Sequence, residues 1–565
     1  MSSPTPAVPV TPGVRTEHVF PTLAPEHVAR IARHGRARSV ANGEVLAEAG
    51  QQTSSFFAVT GGQVDLVHSG ASGERLVASL RAGQFTGEAS MLSGQRGLVT
   101  IRAVEPTEVV EVDRKALLDL IQTDAQLSEI LMRAFILRRV ELIAQGFGDV
   151  VLLGSEFCQG TLRVKEFLTR NGYPYAFVDL DKDSGVQDLL DHFAVGHEDV
   201  PVLICRGSIV LRSPTNAQIA DCLGLNDAID PGRVRDLLVI GAGPAGLAAA
   251  VYAASEGLDV LMVESEAPGG QAGSSSRIEN YLGFPTGISG SELAGRALTQ
   301  AEKFGAELMI AKGARHLSCE RRPYRVDIEG GEPVKARAVV IASGARYRKL
   351  IVPNLTEFEG AGVYYGATTI EAQLCRGEEV IVVGGGNSAG QAAVFLAQSV
   401  ARVHLLVRGA GLAQTMSRYL IRRIEGNPKI DLKTHTEIVG LEGAKVGERV
   451  SHLERVSWRD NQTGTVSKHE IRHVFSMTGA APSTSWLDGC VVLDGKGFIK
   501  TGAELSKEDL AAAKWPLARP PHLLETSRPG VFAVGDVRCG NVKRVASAVG
   551  EGSIAVTFVH QVLQE

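Results

Sequence analysis

Two glycine-rich loops, each set between an apolar strand and a small-residue-rich helix, constrain the fold of this chain most. The first lies in segment 236–246, where an apolar strand leads into Gly241, Gly243 and Gly246 at the spacing of a dinucleotide-binding loop. The first glycine permits a tight turn, the second lets backbone approach a pyrophosphate, and the third lets the helix pack on the strand. A second apolar strand ends in Glu264, a carboxylate suited to accept hydrogen bonds from ribose hydroxyls. This order predicts a dinucleotide site on a parallel, doubly wound sheet.

The same pattern recurs in segment 379–389. Here the strand that follows the helix ends in Arg408 instead of an acid. A carboxylate would repel the 2′-phosphate of NADPH, whereas a guanidinium can pair with it. We therefore predict the ADP half of FAD at the first loop and NADPH at the second. The predicted residues of the second loop are Gly384, Gly386, Asn387, Ser388 and Ala389.

Two dinucleotide folds in series, followed by a late Gly-Asp pair, are the plan of the flavin disulfide reductases, and residues 235–565 resemble low-molecular-weight thioredoxin reductases. The segments that carry the resemblance are Pro268-Gly-Gly-Gln271, Ile278-Glu-Asn-Tyr-Leu-Gly-Phe-Pro285, Ala342-Ser-Gly-Ala345, Gly535-Asp536 and 544–555. The resemblance implies a homodimer with FAD contacts from Gly270, Gln271, Asn280, Ala342, Gly344, Gly535, Asp536 and Arg544.

The chain departs from that family at its catalytic dithiol. The family carries Cys-x-x-Cys-Asp just before the NADPH loop, whereas Gly366, Thr369 and Ile370 take those positions here. Thiolate attack and disulfide exchange both require sulfur. None of the seven cysteines forms a Cys-x-x-Cys pair, and we expect the nearby Cys375 to be a buried structural thiol.

The preference for NADPH over NADH depends largely on one residue. Two further phosphate-binding arginines of the family are replaced by Gly409 and Ala413. Three arginines of a later helix either compensate or face solvent: Arg418, Arg422 and Arg423.

Upstream, segment 20–146 alternates short apolar strands with glycine-rich turns and ends in a helical stretch, 114–145, which predicts an antiparallel β-roll. This part resembles a cyclic-nucleotide-binding domain, and segment 85–92 resembles its phosphate cassette. The resemblance implies that Gly87 and Glu88 contact the ligand. The family's phosphate-binding arginine falls on Gly97, and Arg96 is one residue early, which in an extended segment turns a side chain to the other face. A nucleotide site and a degenerate regulatory or dimerisation module both remain open.

Segment 149–226 changes to strand, helix, strand, helix, strand and resembles glutaredoxin. Cys158 opens the predicted helix 161–171, where the helix dipole and free amides would lower a thiol pKa. Pro201, after Val200, resembles the cis-proline that faces this cysteine in the thioredoxin fold. Thr161 replaces the second cysteine, so both monothiol chemistry at Cys158 and a purely structural domain remain open.

Composition excludes several other classes of protein. A net charge of −5 is not a basic balance that would point to nucleic acid as a partner. No run of 18 apolar residues predicts a membrane span, and the N-terminus lacks a secretory signal, so we expect a cytoplasmic protein with mostly reduced thiols. The predicted fold is multidomain α/β, with two Rossmann-type domains behind the β-roll and the glutaredoxin-like domain. The predicted segments are a disordered tail (1–19), the β-roll (20–146), the glutaredoxin-like domain (149–226), an FAD domain in two parts (235–356 and 479–565) and an NAD(P)H domain (360–478).

The function that these patterns predict is hydride transfer from NADPH to FAD and onward electron flow to an unidentified small-molecule or protein acceptor. Three alternatives remain. Cys158 would replace the missing dithiol in a true disulfide reductase. A ferredoxin or quinone reductase also lacks the dithiol, although the C-terminal aromatic extension expected of that group is not seen before Glu565. A redox or cyclic-nucleotide sensor would use the flavin or a nucleotide to set a partner interaction.

Overall fold

The computed structural model describes most of the chain. The described residues are 19–51, 55–70, 73–87, 91, 97–144, 150–155, 158–180, 199–205, 209–446, 449–487 and 489–565. The predicted tail, apart from Val19, lies outside them, as does the helix predicted between the second and third strands of the glutaredoxin-like segment. None of the helices in these ranges has both the length and the hydropathy of a membrane-spanning segment.

The N-terminal part folds as the predicted antiparallel β-roll with flanking helices. Its elements are α1 (Pro25–Ala32), β1 (Arg36–Val40), β2 (Val45–Ala47), β3 (Ser55–Gly61), β4 (Gln63–Gly70), β5 (Gly73–Arg81), β6 (Thr100–Ala103), β7 (Thr107–Asp113), α2 (Arg114–Thr123) and α3 (Ala125–Ala144). The strands form two sheets, in the orders β1-β7-β3 and β2-β6-β4-β5. Phe56, Phe85 and Phe135 pack their rings together between the roll and α3.

The helical stretch predicted as one element over 114–145 is two helices. Asp124 adopts an extended conformation (φ −112°, ψ 98°), which ends α2. Its carboxylate accepts a hydrogen bond from the Leu127 N–H at 3.0 Å, so the same residue caps the start of α3. The apolar spacing carries through the break and conceals it from the sequence pattern.

The glutaredoxin-like part forms a four-stranded mixed sheet. Its elements are β8 (Val150–Gly154), α4 (Gln159–Arg170), β9 (Ala176–Asp179), β10 (Val202–Cys205), β11 (Ile209–Arg212) and α5 (Asn216–Leu223). The strand order is β11-β10-β8-β9; β8 and β9 are parallel, and the other pairs are antiparallel. The helix predicted over 161–171 is confirmed within two residues at each end. The strands predicted over 150–153, 175–179 and 201–205 are confirmed within one residue at each end. Strand β11 and helix α5 were not predicted.

A parallel sheet follows and carries the first glycine loop at the carboxyl end of its first strand. Its elements are β12 (Val234–Ile240), α6 (Pro244–Ser255), β13 (Val260–Glu264), α7 (Gly270–Gly273), α8 (Gly290–Lys303), β14 (Glu307–Ile310), β15 (Ala314–Ser318), β16 (Tyr324–Ile328), β17 (Val334–Ile341) and β18 (Ala345–Tyr347). The order β14-β13-β12-β17 is parallel and continues into antiparallel β16 and β15.

A second parallel sheet, in the order β19-β26-β20-β21-β22, carries the second glycine loop. Strands β23, β24 and β25 form a separate antiparallel sheet, and β27 pairs with β18. The elements of this part are α9 (Leu355–Phe358), β19 (Val363–Tyr364), α10 (Thr369–Leu374), β20 (Glu379–Val383), α11 (Asn387–Leu396), β21 (Arg402–Leu406), α12 (Arg418–Glu425), β22 (Ile430–Lys433), β23 (Thr436–Val446), β24 (Arg449–Asp460), β25 (Val466–His469), β26 (His473–Ser476) and β27 (Ala480–Pro482).

The chain then returns to the first parallel sheet. Its last elements are α13 (Lys507–Ala512), β28 (Val531–Ala533) and α14 (Val545–Gln564). Strand β28 lies parallel to β17, and a disulfide joins Cys319 to Cys490 with their Cα atoms 6.0 Å apart. The sequence predicted mostly reduced thiols and gave no sign of this disulfide. Its two cysteines are 171 residues apart in sequence and meet only because the chain returns to the first sheet.

The N-terminal parts share an apolar core with the first parallel sheet. One contiguous cluster of buried side chains runs from the β-roll through β8 and α4 to Ile310 and Ala311, at the end of β14. The Asn226 side chain also donates to the carbonyl of Ile310 at 2.9 Å and accepts from its N–H at 2.7 Å. The mixed α/β class with two Rossmann-type sheets is confirmed, while the residue boundaries of the domains stay predictions.

Candidate functional site

The first glycine loop has no room for a side chain at two positions. Gly241 has φ +103°, and a Cβ atom there would lie 2.4 Å from the Ala342 carbonyl oxygen. A Cβ atom on Gly246 would lie 1.9 Å from the carbonyl oxygen of Gly241. At Gly243 the nearest atom is the Cα of Gly270, 3.9 Å from a built Cβ. The loop therefore closes tightly on its own strand and leaves its outer face open, a shape that fits a pyrophosphate at the start of α6.

Glu264 ends β13 beside this loop, where sequence analysis predicts a ribose contact. Its carboxylate is buried and accepts hydrogen bonds from the N–H groups of Ala242 (2.8 Å) and Glu266 (2.9 Å). Burial raises the pKa of the Glu264 carboxyl, and the two backbone donors oppose that rise. The carboxylate is thus fixed at the rim of the loop.

The late Gly-Asp pair is held by a residue that sequence analysis did not select. Glu551 of α14 accepts a hydrogen bond from the Gly535 N–H at 2.7 Å and pairs with Arg538 at 2.7 Å. Burial raises the pKa of Asp536. Both polar atoms of the Asn541 side chain are buried without a hydrogen-bond partner. A buried amide with no partner close to Asp536 in sequence is consistent with a bound polar group at this turn.

The remaining predicted FAD contacts are not gathered into one buried cluster. Gln271, Asn280 and Arg544 are exposed. Gly344 has φ +67°, and Arg544 is the N-cap residue of α14. The loop and its carboxylate therefore fit FAD, while the individual side-chain contacts stay predictions.

The second loop repeats the open cradle. A Cβ atom on Gly384 would lie 2.5 Å from the Met477 carbonyl oxygen. A Cβ atom on Gly386 would have no other atom within 4 Å. The Asn387 side chain accepts from the Ser417 N–H at 2.8 Å, so this predicted cofactor contact also fixes the start of α12. Ala389 is fully buried.

Arg408 lies just beyond the carboxyl end of β21. It is exposed, and within the described residues it forms no ion pair or hydrogen bond. A free guanidinium at this end of a parallel strand is available to an anionic ligand.

Tyr347, another residue that sequence analysis missed, connects the two sites. Burial raises the pKa of its hydroxyl, the negative charge of Asp536 adds to the rise, and a hydrogen bond with Ser388 opposes it. Tyr347 therefore touches the second glycine loop and lies within electrostatic range of the Gly-Asp turn. An ion pair between Arg423 of α12 and Glu279 joins the same two parts of the chain.

The stretch that would carry the dithiol contains a buried carboxylate. Thr368 caps α10, and its backbone N–H donates a hydrogen bond to the Glu371 carboxylate at 2.7 Å. Cys375 is fully buried, its thiol donates to the Glu371 carbonyl at 3.1 Å, and burial raises its pKa to about 12. Cys375 therefore has the surroundings of the structural thiol that the sequence predicts.

Cys158 occupies the N-cap position of α4 and is partly exposed. The Val200–Pro201 peptide bond is cis, as predicted. A Cβ atom on Gly160 would lie 2.8 Å from the ring of Pro201 and 3.7 Å from the sulfur of Cys158. The thiol and the proline ring thus flank the first turn of the helix.

In the β-roll, the predicted ligand residues Glu88 and Arg96 lie outside the described residues. Gly87 is described; it has φ +100°, and its carbonyl accepts a hydrogen bond from Arg138 of α3 at 2.8 Å. Cyclic-nucleotide binding stays a prediction.

Three families match successive parts of the chain. Residues 37–124 match the cyclic nucleotide-binding domain, and residues 150–210 match glutaredoxin. Residues 235–552 match the family described as pyridine nucleotide-disulphide oxidoreductase. The chain therefore belongs to the pyridine nucleotide-disulphide oxidoreductases.

Within that family the similarity is to thioredoxin reductases. The thioredoxin reductase of Bacillus subtilis (strain 168) is 34% identical over 337 residues, which cover 59% of this chain and 96% of the relative. NADPH-dependent thioredoxin reductase 3 of Arabidopsis thaliana is 32% identical over 372 residues, which cover 63% of this chain and 65% of the relative. The predicted class, a thioredoxin reductase-like oxidoreductase with FAD and NADPH as cofactors, is confirmed.

Solved structures agree. The thioredoxin reductase of Lactococcus lactis in its FR conformation has a TM-score of 0.51 and 26% identity, and covers 58% of this chain and 99% of its own. That of T. acidophilum has a TM-score of 0.51 and 29% identity, and covers 58% and 98%.

Proposed function

We propose that this protein transfers hydride from NADPH to FAD and passes the two electrons directly from the flavin to a separate acceptor, without a protein dithiol. The observation that carries the proposal is the absence of sulfur at Gly366 and Thr369, the positions of the family's dithiol, together with the burial of Cys375, the next cysteine along the chain. Tyr347 supports it, because this side chain contacts Ser388 of the second loop and lies within electrostatic range of Asp536 at the first site.

The chain's own residues bind and orient. Gly241, Gly243 and Gly246 form the cradle for the FAD pyrophosphate, and Glu264 receives the ribose hydroxyls. FAD supplies the hydride-accepting ring when it is bound. Arg408 receives the 2′-phosphate of NADPH, since its guanidinium has no other partner among the described residues.

The acceptor is a small molecule or a protein. No cysteine takes the dithiol positions, and the cysteine that follows them is buried with a raised pKa, so it is a poor nucleophile. The relatives reduce thioredoxin according to their names. The acceptor of this chain must take its electrons from the flavin itself.

An anaerobic NADPH titration, followed at the visible absorbance of the flavin, tests the proposal. One equivalent per FAD is expected to complete the reduction in the Cys319→Ser variant, which cannot form the only disulfide among the described residues. The variant is the proper sample, because a reducible Cys319–Cys490 bond would itself consume a second equivalent. Two equivalents in that variant would contradict the proposal.

A second candidate is disulfide reduction at Cys158. It is favoured by a close approach between two segments. Gly360, six residues before Gly366, lies so near Gln159 that a Cβ atom on Gly360 would be 2.7 Å from that side chain. Gln159 is the residue after Cys158. Two electrons and two protons would convert a substrate disulfide to two thiols. Full disulfide-reducing turnover in a Cys158→Ser variant would eliminate this candidate.

The other expected features stay proposals. The homodimer is tested by sedimentation of the purified chain, and the acceptor class by turnover with quinones, ferredoxin and disulfides in parallel. Slow turnover with each acceptor, together with a conformational change on adding cyclic nucleotide, would favour the sensor alternative. The cytoplasmic location remains an expectation.

A further inference from the structure

The glutaredoxin-like part touches the FAD site through the end of helix α4. The Arg170 guanidinium donates to the carbonyl of Gly270 at 2.9 Å and pairs with Glu266 at 3.3 Å. The neighbouring Asn171 side chain donates to the carbonyl of Glu266 at 3.4 Å. Both acceptors belong to the reductase part of the chain, and the donors precede them by 100 and 95 residues.

The turn that Arg170 holds rests on the first glycine loop. The Gly269 N–H donates to the Ala242 carbonyl at 2.7 Å, and a Cβ atom on Gly270 would lie 3.1 Å from the Cα of Gly243. Glu266 in turn donates its N–H to Glu264, the predicted ribose contact. A displacement of this turn would therefore reach both the pyrophosphate cradle and the ribose carboxylate.

The other end of α4 is held on the NAD(P)H part. Leu162 is 8% exposed and packs in the core cluster that also contains Tyr364 and Cys375. Glu166, one turn later, lies beside Glu371 of α10. Helix α4 thus bridges the two cofactor-binding parts, and Arg170 is its contact with the FAD side.

We propose that Arg170 is a positioning residue for FAD, through which the glutaredoxin-like part holds the 268–270 turn against the pyrophosphate loop. The guanidinium fork suits this role because it reaches a carbonyl and a carboxylate at once. The inference rests on the proposed FAD site and adds to it a residue from outside the reductase part.

The test measures the dissociation constant of FAD. The full-length protein is prepared without FAD, FAD is added back, and binding is followed by the quenching of flavin fluorescence. The Arg170→Met variant keeps the length of the side chain and loses the charge and the hydrogen bonds. We expect its FAD dissociation constant to rise by roughly tenfold or more, with a changed visible flavin spectrum, and Arg170→Lys to recover part of the loss.

Two controls separate positioning from general destabilisation. Arg346→Met removes another cation that pairs with Glu266, at 3.6 Å, without touching Gly270, and is expected to keep FAD affinity within about twofold. Leu162→Ala loosens the far end of the same helix and is expected to lower thermal stability more than FAD affinity.

The outcomes decide the matter. Unchanged FAD affinity in Arg170→Met would overturn the inference, as would an equal loss in Leu162→Ala, because the effect would then come from undocking the whole helix. Failure of the wild-type chain to bind FAD would overturn the proposed function as well. Failure of the Arg170 inference alone would leave FAD binding by the wild type intact, so the two results are distinguishable.

Discussion

At the scale of single residues, the two glycine loops contain glycines of two kinds. Gly246 faces a carbonyl oxygen of its own loop at 1.9 Å from a built Cβ, and Gly386 faces open space. The first kind of glycine is required by packing of the strand on the helix. The second keeps the cradle free for a ligand, so the two kinds should respond differently to substitution.

Gly246→Ala is expected to destabilise the protein by about 3 kcal/mol or more and to abolish FAD retention, because its methyl group overlaps the Gly241 carbonyl. Gly295→Ala is the matched control: Gly295 is exposed within helix α8, a Cβ atom there would meet nothing within 4 Å, and the substitution should stabilise the protein by up to about 1 kcal/mol. Thermal unfolding and the flavin content of the purified variants check both. A Gly246→Ala protein with full flavin content would refute the packing argument.

Arg408→Ala is expected to raise KM for NADPH roughly tenfold to a hundredfold and to leave KM for NADH nearly unchanged, because only NADPH carries the 2′-phosphate. Arg402→Ala removes the same charge at the opposite end of β21 and should change neither constant. Steady-state kinetics with both nucleotides give the ratio. Equal effects on the two nucleotides would mean that Arg408 does not read the phosphate.

At the scale of secondary-structure elements, local patterns predicted what is local. The glycine loops, strands β8 to β10 and helix α4 follow from short apolar runs and loop chemistry. The break at Asp124 escaped because a helix cap can interrupt an unbroken apolar period. Tyr347 escaped for another reason: its partners lie in the second glycine loop and at the Gly-Asp turn, and a tyrosine alone carries no motif. Glu551 lies within segment 544–555, but the resemblance assigned no role to its carboxylate.

The Cys319–Cys490 disulfide is such a long-range feature, and it ties the end of β15 to the returning part of the chain. Cys319→Ser is expected to lower the free energy of unfolding by about 2–5 kcal/mol, since the bond closes a loop of 171 residues. The rate of flavin reduction by NADPH should not change. Thermal unfolding with and without reductant measures the loss, and an identical midpoint in wild type and variant would show that the bond does not form.

At the scale of the whole molecule, the glutaredoxin-like part is packed into the reductase instead of being tethered to it. Burial and the neighbouring Glu371 raise the pKa of Glu166 to about 8, with Arg170 opposing the rise and Glu266 adding to it. A motif search selects Cys158 in this helix, whereas the contacts with the reductase come from Leu162, Glu166 and Arg170. Sequence could not identify that face, because its partners lie in another part of the chain.

The raised pKa makes stability depend on pH. Between the ordinary glutamate value and about 8, the folded state holds a proton that the unfolded state releases, so stability is present at low pH and is lost as pH rises through 8. The slope is at most about 1.4 kcal/mol per pH unit.

Glu166→Gln is expected to flatten this decline, and Glu292→Gln, an exposed helix carboxylate, should leave it intact. Unfolding midpoints between pH 6 and 8.5 measure the difference. A Glu166→Gln protein whose midpoint falls with pH as steeply as that of the wild type would contradict the assignment.

The contacts of β14 predict how this chain would behave if it were shortened to match its smaller relatives. Strand β14 is an edge strand of the first parallel sheet, and its last residue is covered by Asn226 and by the apolar cluster that continues into the β-roll. A fragment trimmed to start at Val234 would expose that edge, its unpaired backbone groups and the buried faces of Ile310 and Ala311 to solvent. Bare strand edges recruit other edges. The trimmed flavoprotein would therefore tend to precipitate during expression, for a reason that has nothing to do with its catalytic competence.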